Sequence, residues 1–565
     1  MKQNWQRFLL FGVIIMLVAG AAALRPMAAA PQLTSEDRAA LDKLSRHFVE
    51  AVEIVRENYL EEVDYEVLNK VGIQGMLHTL DPHSNFWDKK SFSDITNEQN
   101  SRYFGIGALI ASRDGKVVIQ EPFRDAPSTR AGLRYGDQIV GIDGENTEKW
   151  NSTTQVSNKL RGEQGTKVKV TVRRLGSAEP VTVTIERDVI PQASVSGIFL
   201  IRPGIGYISM SRGFHSTTSD ELTAAIAQLK GQGATSMILD LRDNRGGYLA
   251  QALSVMEKFL QRGQNIVSVR YREGSIMNRD WQVEIGSPET FPLAVLINGE
   301  SASASEIVAG AIQDHDRGLI IGENSFGKGL VQNIIPLSGG AGLTLTTARY
   351  FTPSGRLIQR DYSTNSIYDY YSRRAENLKS DAKQKPQKTW LTDLRRPVYS
   401  GGGIDPDVKV KETRVRPGNL TDAEKINSVQ GMLLSPIFLF VRELIAGQVE
   451  IAKDFKLNEP PKFDHQLKPN EYVINDALMK LFRETLATYL KKYPEINIPP
   501  AALEEQMVWA RQRIRYEVLT AAYGNDKALQ AMADTDAQLQ RAVTELPNAA
   551  ALAERARRSR SVSAK

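Results

Sequence analysis

The sequence predicts an α/β multidomain protein: an α/β core with a small β-barrel domain inserted, and helical regions at both ends. Three observations carry this. Between residues 190 and 350 short apolar strands alternate with segments of helical period: strand 206–210, helix 218–230, strand 236–241, helix 249–262, strand 293–297. That alternation is the mark of α/β layering. Between 103 and 188 the period drops to that of strands, punctuated by the turn pairs Asp114-Gly115 and Asp143-Gly144. Residues 35–80, and the chain after about Thr421, return to helical spacing.

Composition narrows the chemistry. At 565 residues, 41% hydrophobic and 24% charged, the chain has enough apolar matter for several cores. Of its formal net charge of +5, three positive charges (Lys2, Arg7, Arg25) lie in an acid-free leader, so no nucleic-acid partner is implied. The absence of cysteine excludes thiol catalysis, disulfides and cysteine-ligated zinc. Lys2 and Arg7 precede an apolar run from Phe8 to Leu24, and Ala28-Ala29-Ala30 before Pro31 offers a cleavage site. The run is a little short of the ~20 residues of a spanning helix. The expectation is export to the periplasm or cell envelope, with residues 1–30 as a signal peptide and a retained anchor as the alternative.

Four regions follow. Residues 31–97 form an N-terminal helical region, with Leu41, Leu44, Phe48, Val52 and Val55 on one stripe and a second helix over 65–80. Pro82 ends it, and His83 reads as a loop histidine that bonds locally rather than as a ligand or base. Residues 98–188 are the β domain. There the loop Phe104-Gly105-Ile106-Gly107 leads into strand 108–111, and a helix over 153–161 flanks the same groove. Successive N–H groups of such a loop can form a nest for a terminal carboxylate. Residues 189–415 are the core, with the loop Arg242 to Gly247 placed beyond a buried strand, where open α/β sheets bind ligands. A polar stretch at about 361–397 reads as an exposed insertion, and Gly401 to Asp407 closes the core. Residues 416–565 form a C-terminal helical extension with Ile474, Leu478, Leu481, Phe482 and Leu486 on one stripe, a helix over 502–523, and a solvated basic tail.

The chemistry concentrates between Leu293 and Leu337. Ser303, in the run Ser301 to Ser305, sits at the mouth of a helix beginning near Glu306. A serine hydroxyl needs a base. The chain has six histidines, and His315 lies in a polar turn that reads as solvent-facing. Lys328, with glycine on both sides and Phe326 nearby, can serve if burial lowers its pKa by about three units, a cost of ~4 kcal/mol. Two rivals compete. Ser303 and Glu306 fit a capping box, so the serine can simply start the helix. Gly322, Gly327 and Lys328 also match most of a phosphate loop, but Gly329 replaces the hydroxyl that holds Mg²⁺ and a strand follows in place of a helix.

The run APSTRAGLRYGDQIVGIDGE resembles a PDZ domain. The motifs NGESASASEIVAGAIQDHDR and IGENSFGKGLVQ, with LDPHSNF, DLRDNRGG, GRLIQR and GGGIDPDV, resemble the carboxyl-terminal processing peptidases, or tail-specific proteases, from about Leu41 to Asp407. The resemblance implies an α/β protease core with an inserted PDZ β-barrel domain, acting as a serine endopeptidase. Its nucleophile would be Ser303, its base Lys328 and the orienting residue Gln332. Oxyanion donors would be the Ala304 amide and that of Gly246 or Gly247, while Ser301 and Ser305 would be structural. The loop Phe104, Gly105, Ile106 and Gly107 would receive the free, apolar C-terminus of a protein or peptide substrate. No metal or cofactor is implied; a homodimer or higher oligomer and an activator protein are compatible with the family. A non-catalytic PDZ adaptor is the alternative. The resemblance assigns no role to the C-terminal extension.

Overall fold

The computed structural model describes residues 34–99, 102–150, 152–363, 370, 388–412, 429–468 and 470–563. The expected leader at 1–30, most of the insertion at 361–397 and the start of the C-terminal extension lie outside the described residues. The chain divides into two compact units, Met1–Thr79 and Leu80–Lys565. In the first, helix Ser35–Asn58 starts in a capping box between Thr34 and Asp37, and helix Tyr65–His78 is capped by Asp64. The Phe48 ring lies where a Cβ on Gly72 would meet it at 3.0 Å, so glycine lets the two helices approach.

The second unit is built on a six-stranded sheet in the order Ser196–Arg202, Ile205–Ser209, Ser236–Asp240, Leu293–Ile297, Leu319–Gly322, Val408–Lys409. The first pair is antiparallel and the remainder parallel. Alternation along the strands divides the core in two. Leu239, Val295 and Ile297 face Val308 and Ile312 of helix Ala304–Asp314 and Val255 of helix Leu249–Met256. Ile238, Ala294, Leu296 and Ile321 face Leu539, Ala542, Leu546, Ala549 and Leu552 of the last helix, Ala537–Ser563. A parallel sheet needs both faces covered, so the C-terminal helix completes the core. Each buried leucine on it contributes about 1.5–3 kcal/mol.

A second, antiparallel sheet contains Gly342–Phe351, paired with Leu330–Pro336, Asn265–Tyr271 and Asn85–Trp87. Within the region 31–97 expected to be helical, residues Asn85–Trp87 form a strand of this sheet and helix Lys89–Gln99 follows it. The small β domain follows as strands Ala108–Arg113, Lys116–Pro122, Gln138–Ile142, Glu145–Asn146, Lys167–Arg173 and Val181–Glu186. Its Asp114-Gly115 and Asp143-Gly144 turns take the positive φ values (51°, 69°; 50°, 87°) that tight hairpins of this hand require.

The C-terminal helices Val429–Ile445, Asp476–Lys492 and Met507–Tyr523 share one core with Ala111, Val118 and Tyr135 of the β domain. Polar contacts join the same surfaces: Gln120 Nε2 donates to Glu517 Oε2 at 2.5 Å, and the Asn525 amide donates to Glu121 Oε1 at 2.9 Å. Three expectations need correction. The basic tail is helical, and Arg560 donates to the His315 carbonyl and the Asp393 carboxylate at 3.1 Å each. His315 is not solvent-facing; it is buried, and its ring nitrogens bond Asp393 Oδ2 (2.9 Å) and the Asn265 carbonyl (2.7 Å). The insertion is not wholly exposed, since Tyr370 is 2% exposed. None of the helices among the described residues is long and apolar enough to cross a membrane.

Phe482 is fully buried against Phe440 in the C-terminal core. Phe482→Ala is expected to lower the stability of those helices by about 3–5 kcal/mol, read as earlier loss of helical circular dichroism in urea.

Candidate active site

Ser303 follows strand Leu293–Ile297 and immediately precedes helix Ala304–Asp314. Its backbone is strained, with φ 57° and ψ −114°, a conformation that costs a non-glycine residue about 1–3 kcal/mol and persists only where its surroundings impose it. The imposing group is Glu306, fully buried. Its Oε2 accepts the amides of Ser303 (2.8 Å) and Lys328 (2.9 Å); its Oε1 accepts the Gly327 amide (2.7 Å) and the Ser325 hydroxyl (2.5 Å). All four partners are donors, so the geometry calls for the ionised carboxylate. Burial raises the Glu306 pKa, while these donors oppose that rise. The Glu306 half of the capping box forms, while the Glu306 amide donates to the Ser303 carbonyl at 2.9 Å and the serine hydroxyl makes no cap hydrogen bond.

Tyr350 makes a second tie. Its hydroxyl lies 2.6 Å from the Lys328 carbonyl and 3.1 Å from that of Ser303. One O–H cannot be given fully to both, so the shorter contact takes most of it. Glu306 and Tyr350 thus bring the serine and lysine segments, 25 positions apart in the chain, into one site.

Lys328 Nζ donates to Gln332 Oε1 at 2.7 Å, and Ser303 Oγ is not hydrogen-bonded to it. Gln332 sits where the register between Leu330–Pro336 and Gly342–Phe351 slips, after Val331; such bulges redirect side chains beside active sites. Gln332 Nε2 is buried and has no hydrogen-bond partner among the described residues. Burial lowers the Lys328 pKa to about 8, against the opposing charges of Glu306 and Asp81. Beside it, His83 is neutral, its pKa lowered to about 3 by burial and then by Lys328. The expectation of a locally bonded loop histidine holds only for the backbone, where the Asp81 carboxylate accepts the His83 amide at 2.7 Å. The ring itself reaches Tyr370 Oη at 2.9 Å, a contact sequence spacing does not predict. The phosphate-loop alternative fails on the same geometry, because the Gly327 and Lys328 amides are already filled by Glu306.

The loop after strand Ser236–Asp240 lies against Ser303. A Cβ on Gly246 would stand 2.7 Å from Ser303 Cβ and 2.9 Å from the Ala304 nitrogen, so only glycine fits. The Asn244 carbonyl accepts the Ala302 amide (3.0 Å) and the Ser305 hydroxyl (2.9 Å), and the Leu241 carbonyl accepts the Ser301 hydroxyl (2.8 Å). Ser301 and Ser305 therefore staple the two loops together. One candidate donor changes: the Gly246 amide is engaged by Asn244 Oδ1 at 2.9 Å. The amides of Gly247 and Ala304 have no partner among the described residues.

In the β domain, Phe104 and Gly105 pair with Val189 and Asp188. The Ile106 carbonyl accepts the Ser128 amide (2.8 Å), and the Gly107 carbonyl accepts the Phe123 amide (3.0 Å) and Ser128 hydroxyl (2.5 Å). The amides of Ile106 and Gly107 are left without partners among the described residues. Among the described residues, strand Ala108–Arg113 pairs on one side only, leaving an edge. A cleft of about 290 Å³ opens beside Tyr103, Phe104 and Arg161. The roles of Glu306 and Tyr350 were missed from sequence: Glu306 showed only as a helix cap, and nothing in the spacing marked Tyr350.

Glu306→Gln keeps the shape but turns an amide N–H₂ toward buried donors, at about 1–3 kcal/mol for each one left unmet. The variant is expected to melt earlier and, in its folded fraction, to lose roughly 100-fold in catalytic rate, since small misplacements of reacting groups cost that much.

Comparison with known proteins places the chain in a family. The chain matches peptidase family S41 over residues 204–367, a PDZ domain over 121–174 and the N-terminal domain of the activating protease CtpB over 16–91. A carboxy-terminal-processing protease of Bartonella bacilliformis is 38% identical over 331 residues, 58% of this chain and 75% of that protein. The carboxy-terminal processing protease CtpB of Bacillus subtilis is 31% identical over 366 residues, 64% of this chain and 75% of that one. A solved photosystem II D1 C-terminal processing protease is similar at 27% identity, covering 64% of this chain and 92% of that one, with a TM-score of 0.33. With identity at this level over three quarters of a relative's length, the chain belongs to the carboxy-terminal processing proteases, serine peptidases of family S41 that carry a PDZ domain.

Proposed function

We propose that this chain is an exported endopeptidase that selects protein substrates by their C-terminal tail and cleaves them by a Ser–Lys mechanism. The observation that carries the reading is the Glu306 carboxylate binding the Ser303 and Lys328 amides together, beside a lysine whose pKa burial lowers to about 8. The substrate tail adds as a strand to the edge of Ala108–Arg113, and its carboxylate meets the amides of the Phe104–Gly107 loop. Neutral Lys328 takes the Ser303 proton as Oγ attacks the scissile carbonyl. The Ala304 and Gly247 amides stabilise the oxyanion, with Gly246 serving as the close-packed spacer. Lys328 then protonates the leaving amine, and a water activated by the same lysine hydrolyses the acyl-enzyme. In the resting arrangement Lys328 bonds Gln332, so the lysine must turn toward Ser303 when substrate is bound. Residues 1–30 act as the export leader and direct the enzyme to envelope proteins. The reaction uses no metal or cofactor.

The test is digestion of an unfolded protein with an apolar C-terminus, with products identified by mass. Wild type is expected to cleave, and Ser303→Ala and Lys328→Ala to lose roughly 10⁴-fold or more. Amidating the substrate C-terminus is expected to raise KM by about 10- to 100-fold with kcat little changed, the effect of losing charge-assisted hydrogen bonds. Cleavage surviving in Ser303→Ala would remove the assigned nucleophile. Tail binding without any turnover by wild type would favour a PDZ adaptor.

A further inference from the structure

The loop that presents Gly246 and Gly247 to Ser303 is rooted in Arg242, and Arg242 is rooted in the C-terminal extension. Its side chain is 1% exposed. A guanidinium has five N–H donors, and burying it is tolerable only when all are met. Two go to Asp240 from the preceding strand: Nε to Oδ1 (2.9 Å) and Nη2 to Oδ2 (2.6 Å). The other three leave the catalytic core's own sequence. Nη1 donates to Asp536 Oδ1 (3.1 Å) and Gln538 Oε1 (2.9 Å), and Nη2 to Asp536 Oδ2 (2.8 Å).

Asp536 and Gln538 are themselves fixed. Asp536 Oδ1 caps the last helix by accepting the Leu539 amide at 3.1 Å, and Gln538 Nε2 donates to the Val410 carbonyl at 2.8 Å. Both residues are buried and lie outside all three matched family regions. From Arg242 the path to the reacting atoms is short. Two residues on, Asn244 holds the Gly246 amide with its side chain and the Ala302 amide with its carbonyl.

We propose that Asp536 and Gln538 are positioning residues for peptide-bond cleavage, holding Arg242 so that the 242–247 loop keeps its oxyanion donor, the Gly247 amide, aimed beside Ser303. The C-terminal extension is then part of the catalytic apparatus as well as the cover of the sheet. The proposal rests on the Ser303 reading above.

The test uses the full chain carrying Asp536→Asn or Gln538→Met. Asparagine caps a helix as well as aspartate, so the first change removes the charge and bidentate pairing while sparing the cap. The second removes one acceptor and keeps the volume. Active sites are counted by the burst of acyl-enzyme, and kcat and KM are measured per active site. Affinity is measured for a peptidyl boronate, whose serine adduct places a negative oxygen in the oxyanion position, and for a tail peptide bound by the PDZ domain. The expected result for Asp536→Asn is a kcat lowered by about 10- to 100-fold, boronate affinity weakened in proportion, and KM and tail-peptide affinity within twofold of wild type. Gln538→Met is expected to move the same quantities in the same direction by less, and it decides alone if Asp536→Asn does not fold. Unchanged kcat per active site and unchanged boronate affinity would overturn the proposal, even if the variants melted earlier. A wild-type boronate adduct at a serine other than 303 would instead overturn the nucleophile on which it rests.

Discussion

The site depends on one buried carboxylate. Glu306 accepts donors from both the serine and the lysine loops, and no other single side chain among the described residues bonds the amides of both Ser303 and Lys328. The arrangement has two chemical effects. It holds Ser303 in a strained conformation, with the hydroxyl set at the mouth of a helix whose first amide is open. It also places a negative charge near Lys328, which works against the desolvation that lowers the lysine's pKa. Desolvation is the larger effect, so the lysine can lose its proton near neutral to mildly alkaline pH. Glu306 spends its charge on four backbone and hydroxyl donors, and this limits how strongly it can stabilise the ammonium.

Around that tie the fold supplies rigidity from both sides of the central sheet. The serine helix lies on one face and the last helix of the chain on the other. The extension also packs on the small β domain through Val429–Ile445 and Met507–Tyr523. Helices of the C-terminal extension therefore touch the strand that follows the Phe104–Gly107 loop, the back of the central sheet and the root of the 242–247 loop. A contact such as Gln120 to Glu517 spans 397 positions of sequence.

What was legible in the sequence had local causes. Hairpins at Asp114-Gly115 and Asp143-Gly144 follow from residues that tolerate positive φ, and the strands of the central sheet from continuous apolar runs. Ser303, Lys328 and Gln332 stood out because their short motifs are distinctive, and the structure brings their segments together. What was not legible depends on distant partners. Glu306 showed as a helix cap because its other three donors lie about twenty positions on, in a loop whose path spacing cannot give. His315 looked solvent-facing from its polar neighbours, yet Asn265 and Asp393 bury it. Arg560 looked like part of a solvated tail, yet a helix carries it back to the core. Tyr350 and Asp536 carry no local signal at all.

The central claim is that Lys328, made neutral by burial, activates Ser303. The most direct measurement is the rate at which a small fluorophosphonate modifies Ser303, followed by intact mass and peptide mapping as pH is raised. A base acts only when deprotonated, so the rate should climb about tenfold per pH unit below the lysine pKa and level off above about 8. The Lys328→Ala variant should show neither the climb nor the plateau rate. Modification at another serine, or a rise that begins only near the ordinary lysine pKa of about 10.4, would contradict the account.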